Sequence, residues 1–477
     1  MSNKKYIVLF LLIDFIFMFF IMSQYLLDIG YSKTYFKILE FQNIFLSLYA
    51  IATIYKINKN WFSLEILFIG CFNIFLNMRN ILNFFFPDIY EAYEESYRLA
   101  NFIFSDNTFL ELNFILLFTM LSIHIGMMLG FAKYNKFINT SIPKANYIFN
   151  LKLGYIMFFI GLFAYLVKTV INIKIILSMG YEAIYTTNAV PSIISMLDNF
   201  FLLGFIFIMI NKIEKRKGKI FFLIFVLISL ISLASGARAT FFLYLLSALW
   251  LYTTVYSYKI KFKTLLVLVF SLFLLASMVQ FIRHADTDNI TFAEVFKIFY
   301  SQGITILVVG FVVEFKDYFT TSINQHTGFL LSPFFGLLDV MSGNIMKQDM
   351  RLEVAHPHLA DVLSYFLFPE KFLEGHGLGG SFVAEIWLFG GGSMISVVFF
   401  SLILGFFISF VQNKLIYTKY GLFVAANIVM YILFANRNNY LTIFTFFVMM
   451  FCFVLLLRIL FSILNSLEII SKKSQRK

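Results

Sequence analysis

Residues 220–257 read Ile220-Phe-Phe-Leu-Ile-Phe-Val-Leu-Ile-Ser-Leu-Ile-Ser-Leu-Ala-Ser235-Gly236-Ala237-Arg238-Ala-Thr240-Phe-Phe-Leu-Tyr-Leu-Leu-Ser-Ala-Leu-Trp-Leu-Tyr-Thr-Thr-Val-Tyr-Ser257. Two apolar runs meet at a four-residue break, Ser235 to Arg238. Each run approaches the ~20 apolar residues that a helix needs to cross a hydrocarbon core. No amphipathic period interrupts them, as it would in a helix of a soluble protein. The pair therefore predicts two membrane spans joined by a tight turn that carries an arginine.

Outward from this pair, the pattern fills the chain. The 477 residues are 60% hydrophobic and only 13% charged, whereas a soluble domain has about 25% charged residues. This excludes a soluble enzyme, a disordered chain and an ordinary nucleic-acid binder. The sequence predicts an all-α polytopic membrane protein with about twelve spans. They run over 6–27, 36–56, 61–86, 108–132, 149–173, 192–211, 220–235, 240–257, 264–281, 386–410, 421–435 and 441–462. All six prolines (Pro87, Pro143, Pro191, Pro333, Pro357 and Pro369) fall between spans or at their ends, where proline costs least. Met1 to Lys5 and the apolar run after them read as a retained first span, because no small-residue cleavage site follows. Cys71 and Cys452 both lie inside apolar runs, which leaves no disulfide framework and no cysteine-based metal site.

The net charge of +11 then has a direction. Twelve spans put both termini on one side. That side gathers 23 of the basic residues, among them the cluster from Lys212 to Lys219, against Glu214 and Glu468 alone. By the positive-inside rule this face is cytoplasmic. The domains expected are a membrane part over 1–281, a loop over 282–385 on the opposite face, and a second membrane part over 386–477 with a basic cytoplasmic tail.

The loop between the ninth and tenth spans is far longer than usual. It holds five of the six histidines (His284, His326, His356, His358 and His376) and 12 acids against 6 bases. Two stretches in it, Gly303 to Phe315 and Gly328 to Met341, are apolar, so the loop is expected to pack on the membrane or dip into it.

Chemistry is sought on this opposite face. Of nine arginines, Arg79, Arg98, Arg238, Arg283, Arg351 and Arg437 lie toward it. Arg238, Arg283 and Arg437 stand at span ends. Arginine presents a planar, permanently charged fork that suits phosphate. The plain alternative for each is a guanidinium that snorkels to the interface or pairs with an acid. Arg238, in Ser-Gly-Ala-Arg-Ala-Thr, and Arg437, in Ala-Asn-Arg-Asn-Asn-Tyr, sit in tight turns, which favours a site. His356-Pro-His358 with Asp361 matches no metal spacing, and no metal is expected. A histidine or carboxylate of the loop suits a general base. Glu374-Gly-His376-Gly-Leu-Gly-Gly-Ser381-Phe-Val-Ala-Glu385 leads into the tenth span. Its glycines suit close backbone approach to a ligand, with Ser381 and Glu385 at a helix start. They lack the strand and Lys-Ser/Thr of a nucleotide loop. Glu385 at a membrane edge needs a partner or a function, and Arg238 or Arg437 is the expected partner. Glu40, Glu65, Asp14 and His124 are expected to be packed polar pairs or span-edge residues.

Ser-Gly-Ala-Arg-Ala-Thr between two spans, the long loop, Leu363-Ser-Tyr-Phe-Leu-Phe-Pro369, the glycine segment to Glu385 and the Arg437 hairpin together resemble the Wzy-type O-antigen polymerases. The motif match covers 30–40 residues and the architecture most of the chain. The resemblance implies a multi-pass enzyme of the bacterial inner membrane with its active site on the periplasmic face. It implies transfer of a growing glycan from undecaprenyl pyrophosphate to the next lipid-linked repeat unit. Arg238, Arg283 and Arg437 would then hold the pyrophosphate. Glu385, His376 or Asp361, in that order, would deprotonate the acceptor hydroxyl. His356, His358, Arg351 and Ser381 would contact the glycan. No cofactor and no nucleic acid is expected, and a chain-length regulator protein is a candidate partner. Two other activities fit less well. O-antigen ligases share the architecture, but their loop histidine is usually followed by Asn and here Leu359 follows His358. A flippase or other transporter would be expected to show related halves.

Overall fold

The computed structural model describes residues 3–27, 30, 32–87, 104–134, 150–180, 183–187, 190–233, 238–265, 267, 271, 299–325, 358–418 and 420–474. Within these, the side chains of 185–186, 238–239, 321–325, 461 and 464–474 are not described. Arg283, Arg351, His356 and most of the expected ninth span lie outside the described residues. Of Arg238 only the backbone is described.

Every regular element among the described residues is helical. The helices of five residues or more are α1 (Asn3–Leu26), α2 (Lys33–Asn58), α3 (Leu64–Phe85), α4 (Asp106–Tyr134), α5 (Leu151–Met179) and α6 (Ser192–Ile210). There follow α7 (Lys215–Leu230), α8 (Arg238–Val255), α9 (Thr305–Glu314), α10 (Lys316–Gln325), α11 (Leu359–Leu367) and α12 (Pro369–Leu373). The last are α13 (Phe382–Phe389), α14 (Met394–Asn413), α15 (Gly421–Phe434) and α16 (Tyr440–Ser474). Among the described residues, eight helices are long and apolar enough to cross a membrane: α1 to α6, α14 and α16. Three of the expected spans, in α7, α8 and α15, are apolar helices shorter than the usual spanning length.

Start and stop signals follow the sequence. Ser32, Ser63 and Ser393 cap α2, α3 and α14 through their hydroxyls, which satisfies backbone N–H groups left open by the first turn. The expected span 386–410 is broken. α13 ends at Gly390, Gly391 and Gly392, and α14 starts anew at Met394. Gly391 and Gly392 have φ of 62° and 82°, backbone that only glycine adopts freely.

Helix α4 runs through the middle of the molecule and is buried along nearly its whole length. Its closest neighbour is α14. Gly126 faces the backbone of Leu402 and Phe406, and Gly405 faces that of Ile123. Small residues at such crossings let two helices touch backbone to backbone, the usual basis of packing in lipid. α5 and α6 meet in the same way at Gly161 and Gly204. By contrast α1, α5 and α16 expose large apolar side chains, such as Phe15, Phe19, Phe163 and Leu456. These are the surfaces that a bilayer would cover.

The apolar stretch from Gly303 to Phe315, expected to dip into the membrane, is α9 and its ends. It is buried between α4, α13 and the middle of α3. There α3 opens into a π-helical turn, Asn73–Asn77. The three acids singled out inside the spans are paired: Glu40 with Asn83 at 2.6 Å, Glu65 with Asn413 at 2.8 Å, and Asp14 with His124 at 3.0 Å.

Candidate active site

The site is built around the turn between α15 and α16, residues 435–439. α15 tightens into a single 3-10 turn over Ala435–Arg437 before the chain reverses. The Asn438 N–H donates to the Ala435 carbonyl at 3.0 Å, and the Asn439 N–H donates to Asn438 Oδ1 at 2.8 Å. Asparagine favours such reversals because its side chain completes the turn's hydrogen bonds. Here it leaves Arg437 half-buried at the tip, facing inward. Arg437 Nη1 donates to Gln302 Oε1 at 3.1 Å, and the guanidinium carbon lies 6.0 Å from the Phe75 ring centre on the π-helical turn of α3.

The glycine segment closes against this turn. A Cβ on Gly380 would stand 3.0 Å from Asn439 Oδ1, and one on Gly379 would stand 4.0 Å from Arg437 Nε. Close approach of backbone to the arginine turn is what the glycines permit. The segment is tied to α11, since the Leu378 N–H donates to Ser364 Oγ at 3.0 Å. α11 in turn carries His358 at its N-cap position, with its Nδ1 2.8 Å from Asn439 Nδ2. Asp361, half-buried, follows His358 by three residues in the first turn of α11.

From the glycine segment the chain enters α13, and Glu385 comes one turn after Ser381. Glu385 lies outside the eight spans and is 2% exposed. Its Oε2 accepts the Tyr440 N–H at 2.6 Å. Burial pushes its carboxyl up to about 8, and the Tyr440 N–H offsets part of that rise. Among the described residues the partner of Glu385 is thus a backbone amide, and of the two guanidiniums expected there the side chain of Arg238 is not described. Arg437 turns to Gln302 instead.

Four buried polar atoms beside these contacts have no hydrogen-bond partner among the described residues. They are Ser381 Oγ, Glu385 Oε1, Asn436 Oδ1 and Asn436 Nδ2. A buried polar atom without a partner costs about 1–3 kcal/mol, so each of these atoms has capacity for a further hydrogen bond.

The structure therefore brings together four residues singled out from the sequence: Arg437, Glu385, Ser381 and His358. Asp361 follows on α11, its N–H bonded to the His358 carbonyl at 3.0 Å. His376 is half-buried on the turn after α12, its Nε2 4.0 Å from Glu374 Oε2, and Glu374 bonds Lys371 at 2.9 Å. The Lys371 hydrogen bond holds the Glu374 carboxyl below its ordinary range. Gln302, Asn436 and Asn439 escaped the sequence reading as separate residues. The two asparagines stood inside the quoted Asn-Arg-Asn-Asn motif. Gln302, just before an apolar run, carried no signal.

The signature of the family described as O-antigen polysaccharide polymerase Wzy matches residues 6–466, nearly the whole chain. The chain belongs to the Wzy O-antigen polymerase family. No curated protein and no solved structure matches it. Family membership selects polymerisation of O-antigen repeats over ligation and lipid-linked transport. For a Wzy chain this means a multi-pass membrane enzyme of glycosyltransferase type. It needs a site where sugar hydroxyls and a leaving group meet cations and polar atoms.

Proposed function

We propose that this chain transfers the growing glycan from undecaprenyl pyrophosphate to the next lipid-linked repeat unit, on the periplasmic face of the bacterial inner membrane. The single observation that carries the reading is the junction of Arg437 with the unpartnered atoms of Ser381, Glu385 and Asn436. Arg437 and these polar atoms are carried by elements that pack on one another, α13, the 435–437 turn and α16. The charge asymmetry of the sequence supports the periplasmic orientation.

In the reaction the acceptor hydroxyl attacks the anomeric carbon of the chain's reducing-end sugar. A new carbon–oxygen bond forms, the bond to pyrophosphate breaks, and the hydroxyl proton passes to a base. Arg437, with Arg238 and Arg283, stabilises the charge that develops on the leaving undecaprenyl pyrophosphate, as preorganised cations do. The donor is already activated, so no nucleotide is required. Among the expected bases, Asp361 lies one turn after His358, which bonds Asn439, and it is less buried than Glu385. We assign the proton to Asp361 and a positioning role to Glu385. His358, bonded to Asn439, and Ser381 are glycan contacts.

The test is complementation of a strain deleted for the gene, read as the length distribution of its surface polysaccharide. The deletion leaves lipid A core with one repeat unit. Arg437→Ala and Asp361→Asn are expected to stay near that state at normal expression. Arg437→Lys should resemble the alanine variant, because a point charge does not reproduce the planar fork. Long chains from both Arg238→Ala and Arg437→Ala would overturn the arginine site. Bare core in the deletion strain would indicate a ligase.

A further inference from the structure

Arg79 is a fully buried arginine on α3, two residues beyond the π-helical turn. A guanidinium inside a helical bundle is costly and is retained for a reason. Nothing in the reaction above uses it. Two of its contacts meet at one residue. Arg79 Nε donates to the Tyr300 carbonyl at 3.3 Å, and its guanidinium lies 4.1 Å from the centre of the Tyr300 ring. Its stem packs where Gly303 has no side chain, since a Cβ there would stand 2.9 Å from Arg79 Cγ.

Residues 299–302 are helical and lead through a turn at 303–304 into α9. On their apolar side Phe299 and Tyr300 pack with Met78, Leu82 and Phe86 of α3 and its end. Gln302, in the same segment, accepts from Arg437 Nη1. α3 thus grips the segment at Tyr300 through Arg79 and meets the Arg437 guanidinium through Phe75. Phe75 belongs to the π-helical turn and Arg79 follows it. Such turns re-aim side chains and recur at functional sites.

We propose that Arg79 is a positioning residue for the pyrophosphate site: acting through Tyr300 and Gln302, it fixes the direction in which Arg437 presents its guanidinium. The proposal rests on the reading of Arg437 given above. Arg79 itself touches no substrate. A bidentate fork binds phosphate well only when its plane is set before the ligand arrives. Gln302 fixes one nitrogen of that fork, and Arg79 fixes the segment that carries Gln302.

The experiment measures binding of undecaprenyl pyrophosphate to the purified full chain in detergent, by tryptophan fluorescence, with undecaprenyl monophosphate as control. Trp387 lies two residues beyond Glu385 and is buried. Arg437→Ala should lose binding of the pyrophosphate. Arg79→Lys keeps the charge but loses the planar stack, and Gln302→Ala removes the link. Each should weaken binding about tenfold at an unchanged melting temperature, and the double variant should be no weaker than either single one, as expected for members of one path. Tyr300→Leu, which keeps the carbonyl and removes the ring, should fall in the same range and stands in if Arg79→Lys does not fold. Wild-type binding by Arg79→Lys, or by Gln302→Ala with Tyr300→Leu, overturns the proposal. So does a double variant whose loss is the product of the two single losses. Unchanged binding by Arg437→Ala overturns the pyrophosphate reading and the positioning role with it. Lost binding there with full binding in Arg79→Lys overturns the positioning role alone.

Discussion

The Glu385 carboxyl on α13 caps the first turn of α16, accepting the Tyr440 N–H through Oε2 at 2.6 Å. A glutamate singled out as a base is therefore also a fastener between two helices. Its charge state follows from burial, which raises the carboxyl to about 8. The folded chain holds a proton there that the unfolded chain releases near the ordinary value of 4.5. Linkage then requires stability to fall as pH rises from 4.5 to about 8, and to level off above. Glu385→Gln keeps an acceptor oxygen and has no proton to lose, so its melting temperature in detergent should lack that fall. Glu385→Ala removes the acceptor and should lose about 1–2 kcal/mol, the usual cost of a lost cap. A parallel decline with pH in Glu385→Gln would show that another group is responsible.

Gly379 provides a test of geometry separate from stability. It has φ of 80° beside Arg437, and alanine in left-handed backbone costs about 1–2 kcal/mol. Gly391 has φ of 62°, and a Cβ added there would meet nothing within 4 Å. Both alanine variants should lower the melting temperature by similar amounts. Only Gly379→Ala should also shorten the surface polysaccharide. Equal chain lengths from the two variants would place the glycine segment outside the site.

Much of this architecture could be read from run length alone. The first six spans were expected within a few residues of their helices, because a hydrocarbon core demands a fixed number of apolar residues whatever their order. The break at Gly390, Gly391 and Gly392 was missed for the same reason. Apolar residues on both sides outweigh three glycines in any hydropathy window, although a glycine triplet is a breaker. Arg437 was legible because its turn residues surround it. Arg79 was not: its meaning lies in a contact with Tyr300, 221 residues away in the chain. Neither the π-helical turn of α3 nor the role of Gln302 leaves a local pattern in the residues themselves.

The crossing of α4 and α14 makes a prediction about packing. A Cβ on Gly126 would strike the backbone of Leu402 and Phe406, which has no rotamer to move. Gly126→Ala must therefore push the helices apart, and overpacking of this kind costs about 1–3 kcal/mol. Gly70 has nothing within 4 Å of such a Cβ, so Gly70→Ala should be neutral or slightly stabilising, since alanine restricts the unfolded chain. Thermal unfolding of both variants in one detergent separates the outcomes. Equal melting temperatures would mean that the crossing has slack.

Asp14 and His124 join α1 to α4 at 3.0 Å, and His124 Nε2 reaches Thr53 Oγ1 on α2 at 2.7 Å. Both ionisable side chains are buried, at 0% and 1% exposure. A pair of this kind repays the loss of water only while both partners are present. Removal of one leaves a buried polar group facing apolar neighbours and costs about 3–5 kcal/mol, whereas apolar replacement of both is often close to neutral. His124→Leu alone should therefore lower the yield of folded protein in membranes and its melting temperature. Asp14→Leu should do the same. The double variant Asp14→Leu/His124→Leu should recover most of the loss and still polymerise, because these residues touch neither Arg437 nor α13 in any contact described above. A double variant as unstable as the sum of the two single ones would show that the residues act independently. A stable double variant without polymer would instead give the pair a role in the reaction.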